Sequence, residues 1–302
     1  MAYLIRVPAT TANLGPGFDC LGLALELWNE VEVSVVGNEI EVEIEGVGKD
    51  VLPTTPANAI YQAMLAFADS QGKTLPKGLR LKCNNHIPLG SGLGSSSAAV
   101  VAGILAAEAV LELPLDIEGQ LNCATRLEGH PDNIAPCLLG GLVASMMDGE
   151  HILARQLPIA AFYLVIVHPY FNFPTHAARA VLPKTVSQAD AIFNSSHALF
   201  VTEALRKGDL HLLRTAMQDR LHQPYRLPLI PGASTARNAA IEAGAAAVVL
   251  SGAGPSLLAF APNAESSAAI AEAMQKAFAQ ANLESEALFP KISQIGATVT
   301  LL

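Results

Sequence analysis

Apolar and polar positions alternate from Val31 to Val36 and again from Ile40 to Glu45, with Gly37-Asn38 between them. Alternation places every second side chain on one face, and the break predicts a β-hairpin with one buried face. The period then changes. Pro56 to Ala68 reads as a helix, with Pro56 near its start and Gly72 just past its end. Leu79–Cys83 alternates again as a short strand and leads into a glycine-rich loop. Ala98–Leu113 is rich in small helix formers, and Asp116–Leu127 places Ile117 and Leu121 on one face.

Near residue 160 the texture shifts. "AFYLVIVHP" is a short unbroken apolar run, which suits a strand buried on both faces. Two amphipathic helices are predicted after it, Ser187–Arg206 and Asp209–Leu221. Strands Ala246–Ser251 and Ser256–Ala261 flank "GAGP", and a last helix covers Ala264–Ala279. This order predicts two α/β units, 1–158 and 159–302, joined without a flexible linker.

Composition narrows what such a chain can do. Its 302 residues can bury a large core, with 51% of them apolar and 15% charged. A net charge of −9 argues against a nucleic-acid or anionic-membrane partner, so an anionic ligand must be held by local donors. Cys20, Cys83, Cys123 and Cys137 show no paired spacing and read as small buried apolar residues in a reducing compartment. The start, "MAYLIRVPAT", turns polar at once, and prolines and glycines interrupt the long uncharged runs. A soluble, cytoplasmic protein is expected.

The candidate chemistry begins at Pro88. Gly90-Ser91-Gly92-Leu93-Gly94 runs into Ser95-Ser96-Ser97 and then into the alanine-rich helix. A helix start has unpartnered N–H groups and a dipole that favours anions, so bare backbone there suits a phosphate. An ordinary turn with serine caps would give the same letters. A mononucleotide P-loop requires a lysine after its last glycine, and no lysine lies between Lys82 and Lys184. A dinucleotide fingerprint requires an acidic residue at the end of the next strand, whereas Glu112 ends the helix that the loop opens.

A serine-rich loop without lysine resembles the ATP loop of the GHMP kinase superfamily, P-x-G-x-G-L-G-S-S, matched by Pro88 to Ser96. "PATTANLGPGFDCLGLAL" (Pro8–Leu25) resembles the first motif of that superfamily in its homoserine kinase wording, and "SGAGPSLLAF" (Ser251–Phe260) resembles its third. With "EGHPDNIAPCLLGGL" (Glu128–Leu142), the similarity spans the chain.

The resemblance implies an α+β, two-domain GHMP kinase-like fold with the active site in the cleft between domains. ATP would lie on Pro88, Gly90, Ser91, Gly92, Leu93, Gly94, Ser95, Ser96 and Ser97. Mg²⁺ would be held by Ser96 and Glu128, although only Gly129 separates Glu128 from the H-x-D-N tetrad, closer than in many relatives. Read alone, Glu128 also suits the solvated end of a helix. His130, Asp132 and Asn133 would face the substrate from a turn bounded by glycine and proline. The HxD spacing also fits a metal hydrolase, but no further ligands accompany it at metal-site spacing. Asp132 suits either a general base or a positioning group, since an in-line hydroxyl can lose its proton late.

Asn13 and Asp19 would contact the amino acid, Asp19 taking its ammonium group; a tight Asx turn explains the same two residues without a ligand. Thr175 and Arg179 stand one helical turn apart, and Arg226 lies in the proline-bounded "HQPYRLPLIPG". The two arginines would hold the carboxylate, in a chain with 18 basic residues. The expected reaction is ATP-dependent phosphorylation of the side-chain hydroxyl of L-homoserine, on the route to threonine. The alternatives are a kinase for another small alcohol, such as mevalonate or a sugar, and a catalytically silent paralogue. A homodimer is common in the superfamily.

Overall fold

The computed structural model describes residues 1–113 and 116–302. Two long strands, β1 (Ala2–Ala12) and β2 (Leu21–Ser34), pair antiparallel with a register shift at Pro8/Ala9 and form the spine of the first sheet. After β3 (Ile40–Gly46), helix α1 (Ala59–Ser70) crosses to β4 (Leu79–Asn85). α1 starts three residues after Pro56, where the Asn58 side chain accepts the Ile60 N–H. The predicted hairpin does not form. β4 lies between β2 and β3, antiparallel to the first and parallel to the second. Alternation shows which face of a strand is buried but not which strand it joins, and α1 makes the crossover possible.

Helix α2 (Ser95–Leu111) has alanine and glycine where neighbours press closest; a Cβ on Gly103 would meet the Ile60 carbonyl of α1. α3 (Ile117–Glu128), capped by Asp116, and α4 (Pro131–Leu139) complete the helical layer. Val7, Val31, Val33, Leu79, Leu81 and Ile44 meet this layer, and Arg6–Glu30 and Arg80–Glu41 pair on the solvent face. β5 (Leu142–Asp148) joins the first half of β2, and β6 (His151–Leu157) joins β5.

The second sheet holds β7 (Tyr163–Pro169), β8 (Ala247–Leu250), β9 (Leu257–Ala261) and β10 (Ser285–Leu288), in the order β10-β7-β9-β8. One face, with Val165, Val167 and Leu257, packs on α9 (Ala233–Glu242) and α10 (Ala264–Gln280). The other, with Leu164, Ile166 and Phe260, joins the first core beside Val201 and Leu213 of α6 (Gln188–Lys207) and α7 (Leu210–Ala216). Burial of both faces explains the unbroken apolar run. Two short helices, α5 (Thr175–Ala180) and α8 (Gln223–Arg226), border the space between the sheets.

Two further expectations change. The division at 158/159 separates β6 from β7, but the last strand, β11 (Thr298–Leu301), crosses back to pair with β1 in the first sheet. The helix expected over Asp209–Leu221 ends at Ala216, because the buried Asp219 carboxylate draws the following amides into a turn. No helix among the described residues is long and apolar enough to cross a membrane.

Candidate active site

The three glycine-containing motifs close on one another. At the end of β1, Thr10 N–H donates to the Leu93 carbonyl (3.1 Å), and its hydroxyl donates to Asn133 Oδ1 (2.8 Å). The Ser251 hydroxyl lies 2.8 Å from both Thr11 Oγ1 and the Gly92 carbonyl. Asn13 Nδ2 donates to the Gly252 carbonyl (2.9 Å), while its Oδ1 accepts the Asp19 N–H (3.0 Å). Approach this close explains two glycines. A Cβ on Gly92 (φ +79) would strike the Ser251 carbonyl, and one on Gly94 (φ +73) would strike the Thr10 hydroxyl.

This junction lines a cleft of about 120 Å³. From the loop come Gly90 to Gly92 and Gly94 to Ser97. Gly94 enters α2 in the left-handed region, and no side chain caps the helix. The first amides, Ser95 to Ser97, therefore have no acceptor within α2 and are free to bind an anion. Pro88 and Leu93 do not reach the cleft. The Pro88 carbonyl accepts the Ser91 hydroxyl (2.7 Å), Ser91 Oγ accepts the Leu93 N–H, and the Leu93 side chain anchors the loop in the core. Ser91 is likewise spent on shaping the loop.

Glu128, the last residue of α3, settles on the same helix start. Its carboxylate accepts the Ser96 hydroxyl (3.0 Å) and the Ser97 hydroxyl (2.9 Å). Gly129 (φ +91) then turns the chain directly into α4, so the short spacing still brings Glu128 to Ser96. His130, Asp132 and Asn133 occupy a helix start rather than a free turn: His130 is the N-cap position of α4. His130 Nδ1 lies 2.6 Å from Asp132 Oδ1. Burial opposes charge on His130, but the hydrogen bond and charge of Asp132 outweigh it and raise its pKa above the ordinary value.

On the opposite wall, Arg179 grips Asp19 through two hydrogen bonds, Nη1–Oδ2 at 3.0 Å and Nη2–Oδ1 at 2.7 Å. Thr175 lies one turn before Arg179 on α5, and both face the cleft. Asn13, Leu14 and Asp19 all adopt positive φ, a concentration of strained backbone that places the Asp19 carboxylate.

Arg226 differs from every other arginine. It is 1% exposed, on helix α8 rather than in a loop, and among the described residues no carboxylate lies within ion-pair distance. Nε donates to the Ala178 carbonyl (3.0 Å), and the guanidinium lies over the Phe18 ring. Burial and then Arg179 pull its pKa down to about 10, which leaves it charged at neutral pH. Asp19, Asp132 and Asp219 act on it only from beyond ion-pair distance, so a buried cation at a cleft wall retains the capacity to take an anion.

Of the residues expected from the sequence, only Pro88 and Leu93 stay away from the cleft. Phe173, Pro174 and residues 252–254 also line it. The "SGAGP" glycines were visible as a motif, whereas Phe173 and Pro174 carry no sequence signal of their own. A second, more apolar cavity of about 350 Å³ shares Gly90, Ser95 and Ser96 with the cleft and reaches Val7, Ile44 and Leu52.

Comparison with known proteins supplies the wider context. The family descriptions "GHMP kinases N terminal domain" and "GHMP kinases C terminal" match residues 58–141 and 201–280. The homoserine kinase of Synechocystis is 42% identical over 100% of this chain and 99% of its own. That of Moorella thermoacetica is 47% identical over 85% of this chain and 86% of its own. The crystal structure of homoserine kinase from Cytophaga hutchinsonii superposes with a TM-score of 0.87 at 31% identity, covering 99% of this chain and 97% of that one. The L. major mevalonate kinase, solved with R-mevalonate, shares the fold alone, with a TM-score of 0.71 at 17% identity over 95% and 94% of the two chains.

Proposed function

The chain belongs to the GHMP kinase family of phosphotransferases, among its homoserine kinases, and from that premise we propose that it transfers the γ-phosphoryl of ATP to the side-chain hydroxyl of L-homoserine. The products are ADP and O-phospho-L-homoserine, a step on the route to threonine. The observation that carries this substrate is Arg226, a buried guanidinium with no direct ion pair among the described residues, beside the Asp19–Arg179 pair. An α-amino acid zwitterion brings a carboxylate for Arg226 and Arg179 and an ammonium for Asp19. Mevalonate has no ammonium group, and a neutral sugar has neither charge.

The phosphates suit the amides at the start of α2, and the apolar cavity beyond Gly90 suits the nucleoside. Hard oxygen donors gather at Glu128, Ser96 and Ser97, a set that fits Mg²⁺. Among the described residues no group of three or more His, Cys, Asp and Glu could hold a metal alone, so phosphate oxygens and water must complete the shell. Bound there, Mg²⁺ would neutralise phosphate charge in a loop that lacks lysine. Asn133, held by Thr10, and Asp132, held by His130, orient the substrate at the head of α4. The contact of Asp132 Oδ1 with His130 Nδ1 at 2.6 Å engages that oxygen and fixes the carboxylate, which supports positioning over proton abstraction.

The test is ADP release by the purified protein with a panel of small alcohols, with and without Mg²⁺. The expected result is Mg²⁺-dependent turnover of L-homoserine. Faster turnover of mevalonate or a sugar, or none with any alcohol, would overturn the reading.

A further inference from the structure

Arg226 is aimed by a buried network that begins outside the cleft. His222 is fully buried, and its two ring nitrogens face different partners. Nε2 lies 2.8 Å from the Gly15 carbonyl, which can only accept, so Nε2 carries the hydrogen. Nδ1 lies 3.4 Å from Arg226 Nη1, which can only donate, so Nδ1 is bare. Both contacts require the same neutral tautomer. Burial, the first cause, lowers the His222 pKa, and a protonated ring would set a second positive charge against Arg226.

The ring itself is held. Asp219 Oδ2 accepts the main-chain N–H groups of His222 (3.0 Å) and Gln223 (2.6 Å), and Oδ1 accepts that of Leu221 (2.9 Å). Asn194 of α6 donates to Asp219 Oδ1 (2.8 Å) and to the Pro16 carbonyl (3.3 Å). The Gly15–Asp19 segment is thus tied to the Arg226 turn by two arms, His222 and Asn194. Phe18 lies between them, stacked on His222 at 5.2 Å and beneath the Arg226 guanidinium.

We propose that His222 is a positioning residue for the substrate carboxylate: its fixed tautomer holds Arg226 against the Gly15–Asp19 loop, so that the carboxylate and ammonium seats keep the spacing of an α-amino acid. This rests on the proposed homoserine reaction. The charged groups facing the ring are Arg226, Asp219 and Asp19, and besides Nδ1 the Arg226 Nη1 group meets the Gly252 carbonyl, at 3.5 Å.

Two variants separate positioning from simple packing. In His222→Asn the amide oxygen falls near Nδ1 and keeps the acceptor for Arg226. In His222→Gln the amide reaches the Nε2 position and keeps the bond to Gly15 but not the acceptor. His222→Gln should raise the homoserine KM by about 10-fold, as expected for one lost hydrogen bond to a charged group, with the ATP KM and kcat near wild type. His222→Asn should recover most of that loss. A wild-type homoserine KM in His222→Gln, or equal weakening of both substrates in both variants, overturns the proposal. If neither variant folds, long-range ¹H–¹⁵N spectra of the wild-type protein decide: a protonated Nε2 with a bare Nδ1 supports it, and a protonated Nδ1 overturns it. Wild-type protein that turns over no homoserine refutes the proposed function, whereas an unaltered KM in His222→Gln refutes only this inference.

Discussion

The two walls of the cleft are built by opposite means, and in the proposed reaction they would serve opposite ends of the chemistry. The proposed phosphate wall comes from one short stretch, Gly90 to Ser97 with Leu93 turned into the core, and offers backbone amides and the Ser96 and Ser97 hydroxyls beside the Glu128 carboxylate. The proposed amino-acid wall is assembled from distant segments and presents the side-chain charges of Asp19, Arg179 and Arg226. A polyanion arriving with its own metal needs donors in a row, which a helix start provides without fixed positive charge. A small zwitterion needs one charge of each sign at a set separation. The first demand is local in sequence; the second is met only by tertiary structure.

If the division is right, damage to each wall should appear in a different kinetic constant. The largest effect is expected at the proposed metal ligands. Chelation should abolish activity, and Ser96→Ala or Glu128→Gln should each lower kcat by roughly 10²- to 10³-fold with a much smaller change in the ATP KM. Wild-type kcat in Glu128→Gln would place the metal carboxylate elsewhere.

Next is the amino-acid wall. Replacing Arg226 by leucine removes charge-assisted hydrogen bonds to the carboxylate, about 1.5–3 kcal/mol, so the homoserine KM should rise roughly 10- to 150-fold. The ATP KM should hold, and lysine should rescue only in part because it lacks the planar fork. Asp132→Asn should cost less than about 10²-fold in kcat and leave the shape of the pH profile unaltered; a larger loss in folded protein would make Asp132 the base.

The seam between the walls should fail differently from either. Ala at Gly92 needs a left-handed backbone and pushes a Cβ against the Ser251 carbonyl. The cost should be about 1–3 kcal/mol, read as a lower urea midpoint, with both substrates weakened. A variant that loses only ATP affinity would mean that the seam does not couple the walls.

The smallest effect expected is on stability. His130 binds its proton more tightly in the folded protein, so its pairing with Asp132 stabilises fully below the ordinary histidine pKa and is lost as pH rises through the raised value. The gap in urea midpoint between wild type and His130→Gln should therefore be wider in mild acid than in mild alkali. A gap that widens with pH contradicts the assignment.

The same contrast explains what the sequence made legible. The glycine- and serine-rich loop could be read because its residues are consecutive. Even there, Pro88 and Leu93 belong to the motif for what they hold inside the protein and not for what they touch. Glu128 could be named, but its meeting with Ser96 depends on Gly129 turning the end of α3 into α4. The Asp19–Arg179 pair joins residues 160 apart, and no local pattern records it. Arg226 read as a loop residue because prolines surround it; the Asp219 carboxylate starts a short helix there whose Gln223 and Arg226 are buried. Likewise β3 showed its buried face but not its parallel partner, which arrives 33 residues after β3 ends (79 − 46).

The central claim, that Arg226 is kept unpaired for the substrate carboxylate, is tested most directly by crossing substrate and protein changes. Wild type and Arg226→Leu are each assayed with L-homoserine and with its neutral carboxamide, L-homoserinamide. If the guanidinium meets the carboxylate, wild type should prefer homoserine by about the 10- to 150-fold lost in the variant, and Arg226→Leu should barely discriminate. Equal discrimination by both proteins, or a variant that weakens ATP and leaves homoserine untouched, would contradict the claim and move Arg226 to the phosphate wall.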